Sequence, residues 1–292
     1  MQITHHDRFG YSDITGRPDF SWPEGRRLAV YVALNIEVFS FGEGPGAQLA
    51  PGGPEPDVMN YAWRDYGNRV GAPRIRDMMA HLGLPLTVLA NSDTYERCPG
   101  LIESFRSPAN EIIAHGRNNA ERPGTLDEGQ ERALIEEVTQ VLQTREGRHP
   151  GGWLGPWISQ SHQTPDLLQE AGYGYLMDWA MDDQPVWMDT RKGRILSLPY
   201  PQELNDIPQI VGRNMTGRAF GDMIVDAFDW MRTEARARPM VMGIALHGYL
   251  MGQAHRAPHL ARALRHIADS AGEDVWLTTS GQIAAHYAGL DL

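Results

Sequence analysis

The sequence predicts an α/β barrel, and three observations carry that prediction. Short apolar stretches that read as buried strands alternate with stretches of helical periodicity about seven or eight times, the pattern of a parallel sheet with right-handed crossovers. A length of 292 residues suits one large barrel. Reactive side chains stand at the C-terminal ends of four apolar stretches: Glu37 after LAVYVALNI, His115 after EIIA, Asp178 after YLM and His247 after VMGIAL. In a β/α barrel these ends converge on one face, where active sites are built. Residues far apart in sequence then meet, which marks an enzyme.

Residues 1–27 are loop-rich and are expected to wrap the barrel. The first strand is 28–36, rich in Val, Leu and Ala. Residues 42–57, together with Phe41, are dense in Gly and Pro and must form an irregular loop, at a place where lids and substrate pockets are built. Residues 73–82 have helical spacing and end at Gly83, a C-cap. LPLTVLAN is the second strand, CPGLIESFRS a short helix and NEIIAH the third strand. Residues 125–145 are the clearest helix, with Thr125 as cap, Glu128 completing a capping box, and an apolar stripe of Leu134, Val138, Val141 and Leu142. GGWLG reads as a fourth strand, TPDLLQEAG as a helix, YGYLMD as a strand, and RILSLP as a strand after a Lys-Gly turn. An amphipathic helix over 217–236 leads to the well-marked strand PMVMGIALH, then to the helix HLARALRHIADSAG and the strand VWLTT.

Composition excludes several classes. With 41% hydrophobic and 22% charged residues and eight tryptophans, the chain is not disordered. A formal net charge of -11 leaves no basic footprint for nucleic acid or an anionic membrane. The single cysteine, Cys98, rules out an internal disulfide and a thiolate zinc site, and its ERCPG context reads as a packing thiol. The first residues lack a signal-peptide layout, and no apolar stretch approaches the roughly 20 residues needed to span a bilayer, so a cytoplasmic protein is expected.

There is no GxSxG elbow, no P-loop, and no GxGxxG after a strand. Lys192, the only lysine, sits in a turn and is a poor Schiff-base candidate. Three histidines fall after or near strands, His115, His162 and His247, and no pair among them has HxxxH spacing, which disfavours a dedicated zinc site. What remains is activation of water by a carboxylate and histidine, hence hydrolysis. Glu37, partly desolvated at a strand end, is expected to have a raised pKa suited to a general base, the competing role being an ion pair with Arg69. Asp178, Asp182 and Asp183 with Trp179 suggest a polar pocket with aromatic walls, and Asn205 and Asp206 add polar groups on a further loop. Trp153 and Trp157 are either walls for a flat ligand or core.

These segments resemble the polysaccharide deacetylase superfamily and, within it, the metal-independent allantoinases and related cyclic amidohydrolases. The likeness runs from FGYSD and WPEGRRLAVYVALNIE through DYGNRVG, EIIAHGRNN, GYGYLMDWAMDDQPVW and LPYPQELND to GIALHGYL. It implies a distorted, incomplete (β/α) barrel of the NodB-like type as one domain over 1–292, assembled as a homo-oligomer, dimer or tetramer. Metal-dependent deacetylases carry paired aspartates after the first strand and His-x-x-x-His after the third. Here those positions read Glu37-Val38 and His115 with Asn119, so two of three metal ligands are missing. The arginine-containing motif is likewise replaced by GWLGPW. The resemblance therefore implies no metal and no cofactor.

Within that branch the chain most resembles bacterial cyclic imide hydrolases, which open succinimide-, maleimide- or phthalimide-like rings to half-amides. The expected roles follow. Glu37 deprotonates water, while His115 and His247 stabilise the oxyanion or protonate the departing nitrogen. Asn205, Asp206 or Asp183 holds the ring N–H, and Trp153, Trp157 or Trp179 flanks the ring. Asn35, Arg69 and Asp178 complete the expected substrate contacts. The expected partner is a small cyclic imide or amide. The competing functions are a metal-dependent deacetylase of amino sugars, an allantoinase, and a non-catalytic binding protein.

Overall fold

The computed structural model describes residues 5–42 and 44–290, so residues 1–4 of the expected N-terminal wrap lie outside the described residues. Its centre is β1 (Leu28–Ile36), buried along its whole length. Leu28, Val30, Val32, Leu34 and Ile36 pack outward against helices, while Ala29, Tyr31 and Ala33 face the barrel interior with Leu89, Ile113 and Tyr200. Successive strand side chains alternate between faces, so Asn35 and Glu37 continue the interior series. Burial of each Leu, Ile or Val in β1 contributes roughly 1.5–3 kcal/mol, which fixes this register firmly.

The sheet has nine strands among the described residues, in the order β6-β7-β5-β4-β3-β2-β1-β8, with β9 (Val275–Thr278) also beside β1. β2 (Thr87–Ala90), β3 (Glu111–Ala114), β4 (Gly152–Trp153), β5 (Tyr175–Leu176) and β7 (Gly193–Ser197) run parallel, with β8 (Met240–His247) on the far side of β1. Their C-terminal ends are level: Ile36 pairs with Ala90, Ala90 with Ala114, Ala114 with Trp153, and Asn35 with His247. The sheet curls but does not close. Between β7 and β8 a single bridge, Asn205 to Ala245, spans the seam. The architecture is the distorted, incomplete barrel the sequence implied.

Several elements differ from expectation. α1 (Val58–Tyr66) passes through a π-turn (Gly67–Gly71) into α2 (Ala72–Leu82), so the helix begins well before residue 73. β6 (Val186–Thr190) forms an antiparallel hairpin with β7, and α9 (Ser280–Ala288) follows β9; neither was expected. Two short helices, α3 (Thr94–Arg97) and α4 (Pro99–Phe105), follow β2. The cap of α5 (Glu128–Glu146), Asp127, stands two residues later than the expected one. Thr125 is spent in a 3₁₀ turn, and Asp127 with Gln130 forms the reciprocal capping box. α6 (Thr164–Glu170), α7 (Gly217–Glu234) and α8 (Ala257–Ser270) match the expected helices within a few residues.

Backbone seats directly on backbone where β8 ends. A Cβ added to Gly71 would stand 1.9 Å from the Gly248 carbonyl oxygen, and one added to Gly248 would stand 2.6 Å from that of Gly67. Only glycine permits this approach, which presses the turn after His247 against the π-turn. At the other end of the barrel, Trp22 is buried and donates its indole N–H to the Met240 carbonyl at 3.0 Å. Arg8 grips Asp166 through two 2.7 Å contacts, tying the N-terminal segment to α6.

Candidate active site

The level strand ends place Glu37, His115 and His247 together, all at least nine-tenths buried. Ile113 and Val241 face the interior on their strands, so His115 and His247, at even spacing from them, do too. The His115 Nε2 lies 3.3 Å from Glu37 Oε1, and its Nδ1 donates to the Leu154 carbonyl at 2.8 Å. The His247 Nε2 lies 3.6 Å from the same oxygen. Its Nδ1 donates to Asp206 at 2.7 Å, and the other Asp206 oxygen accepts the His247 backbone N–H at 2.9 Å. Asp206 thus fixes the ring and tautomer and turns Nε2 to Glu37.

Two further groups complete the cluster. Asn119 donates to Glu37 Oε1 at 2.6 Å, and the Tyr249 hydroxyl donates to Oε2 at 3.2 Å. The Asn119 amide has only one workable orientation. Val38 N–H donates to Asn91 Oδ1 at 2.9 Å, Asn91 Nδ2 donates to Asn119 Oδ1 at 3.0 Å, and the Asn119 N–H group is left for the carboxylate.

That arrangement also answers whether a deacetylase-type metal fits. A ligand at 119 would have to offer a lone pair toward Glu37, and this amide offers a proton. Among the described residues no group of three or more His, Cys, Asp or Glu side chains is placed to hold a metal ion. The donor set does not fit a metal.

The electrostatics correct one expectation. Burial alone would raise the Glu37 pKa, but the His247 charge and hydrogen bonds from His115 and His247 outweigh it and hold the carboxyl below its usual range. For His247, desolvation is likewise overridden, here by the charges of Glu37 and Asp206, and its pKa is raised from 6.5 to about 10. The resting site therefore sets the charged His247 ring beside the Glu37 carboxylate, with Asp206 on its other nitrogen.

Beside this row lies a cavity of about 140 Å³, walled by Asn35, Leu154, Trp157, Tyr200, Asn205 and Ile207 among others. A larger chamber of about 640 Å³ adjoins it, shares Glu37 and Phe39 with it, and holds Arg69, Asn68 and Cys98. Burial pushes the Cys98 thiol up to about 11, as suits a packing thiol. Trp157 and Ile158 both have positive φ, 63° and 52°, an uncommon strain of roughly 1–3 kcal/mol each. Trp157 is held there by its indole N–H on the Asn119 carbonyl at 2.9 Å.

Of the expected substrate contacts, Asn35, Trp157 and Asn205 line the inner cavity and six others do not. Arg69 is exposed and pairs with Asp65 at 2.5 Å on the rim of the outer chamber, so it is no partner for the Glu37 carboxylate. Trp153 is 1% exposed and belongs to the outward-packing core. Trp179 packs edge-on against Phe9, outside the cavity wall. Asp178 spends its oxygens on Gly155 N–H at 2.7 Å and Gln160 at 2.8 Å, bracing the loop that carries Trp157, and burial raises its pKa to about 6. The Asp183 carbonyl accepts from Val241 N–H, six residues before His247 and therefore ~20 Å down the strand. Asp206 is wholly engaged with His247 and neighbouring amides and has no oxygen to offer a ring N–H. Sequence reasoning missed Asn119, Tyr249 and Tyr200 as wall groups. Tyr249 had one available signal, its place two residues beyond His247.

A curled, incomplete barrel with buried acid and imidazole groups at its strand ends is the fold of the polysaccharide deacetylase superfamily. Solved structures and curated relatives together support placing the chain in it. The Puue allantoinase superposes with a TM-score of 0.84 at 26% identity, over 97% of this chain and 99% of that one. A Pseudomonas aeruginosa PAO1 protein named as a "probable polysaccharide deacetylase" gives 0.81 at 27%, over 94% and 97%. A Helicobacter pylori peptidoglycan deacetylase is 22% identical over 201 residues, 58% of this chain and 68% of its own length. No family model matches the chain. The relatives are named as deacetylases and an allantoinase, both hydrolases of C–N bonds.

Proposed function

We propose that this protein hydrolyses a C–N bond of a small cyclic imide, opening the ring to a half-amide without a metal ion. The observation that carries the reading is the His247 ring, fixed by Asp206 and held 3.6 Å from Glu37 Oε1, beside a cavity of about 140 Å³. That volume is the space of roughly five waters, which suits one small ring.

The chemistry follows from the coupling of the two groups. Water, positioned by Glu37, gives it a proton while its oxygen bonds to a ring carbonyl carbon. The ring C–N bond then breaks, and the nitrogen takes a proton from His247 Nε2. The charge of His247 is the foremost group keeping Glu37 weakly basic, so once His247 has given its proton to the nitrogen, Glu37 holds more firmly the one it took from water. An imide suits such a site because its nitrogen leaves more readily than that of a simple amide.

The likeness to an allantoinase over nearly all of both chains supports a second reading, with the outer chamber taking the ureido arm of allantoin. A hydrolysis screen over succinimide, phthalimide, hydantoin, dihydrouracil, allantoin and chitin oligomers, with and without chelator, separates the readings. The first expects turnover of succinimide or phthalimide that survives exhaustive chelation. Activity lost to chelator and restored by zinc would overturn the metal-free part, and turnover of allantoin alone would move the assignment to the second reading.

A further inference from the structure

We propose that Tyr200 sets the preference for imides over rings with one carbonyl, by donating its phenolic hydrogen bond to the carbonyl that is not attacked. This inference rests on the ring-opening reading given above. Tyr200 is 2% exposed, lines the inner cavity, and is held by Asn35, whose Nδ2 donates to its hydroxyl oxygen at 3.0 Å.

The direction of that bond is fixed from outside the pair. Asn35 Nδ2 also donates to the Leu246 carbonyl at 3.1 Å, and a carbonyl can only accept. The amide therefore spends both its protons, one on Leu246 and one on Tyr200. The phenol oxygen is an acceptor in this pair, and its own proton has no acceptor among the described residues. A buried O–H without an acceptor is costly, on the order of 1–3 kcal/mol, and a ligand carbonyl in the cavity would satisfy it. Asn35 Oδ1 is a second buried atom without a partner in the same pair. Burial, reinforced by the charge of Glu37, raises the Tyr200 pKa, so the hydroxyl stays a donor across the working range.

An imide rewards a donor at this place in a way a simple lactam does not. When the ring C–N bond breaks, the electron pair left on nitrogen spreads onto the second carbonyl oxygen. A donor on that oxygen strengthens as the charge develops, and so stabilises the transition state more than the bound substrate. A ring with CH₂ in place of that carbonyl offers the donor nothing and leaves its proton unmet, the arrangement by which buried polar groups discriminate most strongly.

The test uses binding as well as turnover. In a Glu37→Gln background, which binds without reacting, calorimetry should find succinimide tighter than 2-pyrrolidinone, the same ring with one carbonyl, by about tenfold or more. Adding Tyr200→Phe should bring that ratio close to one while 2-pyrrolidinone affinity is unchanged. In the otherwise native enzyme, Tyr200→Phe should lower kcat/KM for succinimide by about ten- to a hundredfold. A ratio that persists in Tyr200→Phe, or equal weakening of both compounds, overturns the role of Tyr200 and leaves the ring-opening reading intact. Absence of both binding and turnover of imides overturns that reading and this inference with it. Asn35→Ala, which keeps the phenol but frees its rotor, should narrow the ratio several-fold, and an unchanged ratio would remove Asn35 from the arrangement.

Discussion

Asp206→Asn is the sharpest perturbation of the proposed chemistry. Asp206 Oδ2 accepts two backbone N–H groups, from His247 at 2.9 Å and Met251 at 3.4 Å. An asparagine there keeps its oxygen toward those donors and turns its NH₂ to the imidazole, so His247 Nδ1 must accept where it now donates. The neutral ring then carries its proton on Nε2, and the ring holds a second proton less readily. A pKa raised from 6.5 to about 10 corresponds to a preference for the imidazolium on the order of 5 kcal/mol, supplied by Glu37 and Asp206. If each supplies half, the variant retains a pKa of about 8 at most. His247 must be protonated to act as the acid, so activity is present below its pKa and lost above it. The basic limb of kcat/KM against pH should therefore move from near 10 in the wild type to 8 or lower. Between the two limbs, near pH 9, the variant should fall about tenfold or more below the wild type. Rate profiles on succinimide measure both, and ¹⁵N NMR of the histidine ring follows its protonation without substrate. Coincident basic limbs and ring titrations in the two proteins would refute the argument.

Other outcomes follow from the same geometry. Glu37→Gln should lower kcat by roughly two to four orders of magnitude with little loss of stability, checked by steady-state kinetics beside thermal unfolding. Asn119→Ala removes the 2.6 Å donor from a carboxylate whose pKa is held low, so that pKa must rise, and the acid limb of the rate profile should shift to higher pH. An unshifted acid limb would leave Asn119 a packing residue. Gly71→Ala forces a methyl to 1.9 Å from the Gly248 carbonyl and should cost more than about 2 kcal/mol in chemical denaturation, with activity falling as the turn after His247 is displaced.

What could be read from the chain was governed by strand periodicity. β1, β3 and β8 are apolar runs ended by Glu37, His115 and His247, and an interior-facing series carries straight from strand to site. β4 and β5 have two residues each, too short to show any period, which is why the sequence alone cannot choose between wall and core for Trp153, nor show which groups Asp178 meets. The sign of the Glu37 shift was hidden for another reason. Its donors come from two other segments, those after β3 and β8, and position at a strand end reports burial but not who else arrives there. Asp206 illustrates the same limit, since its partner is 41 residues away and the sequence shows only a carboxylate in a loop. Asn119 and Tyr200 look like ordinary loop and core residues until the amide relays that orient them are traced.

The seam between β7 and β8 gives this barrel a freedom that a closed one lacks. In a full ladder every wall residue is tied to its neighbours by register, and a slip of one position turns the whole face over. Residues 199–206 cross the opening with one bridge at Asn205 and with prolines at 199 and 201. Tyr200, Asn205 and Asp206 all ride on that span, whereas Glu37, His115 and His247 are set by the continuous strands. Tyr200 and Asn205 can therefore be exchanged by drift in one short span while the reacting groups stay in place. The opening divides the molecule into a ladder-bound frame and a loosely tied grip, within which Asp206 is the one position that must stay fixed, since it orients His247.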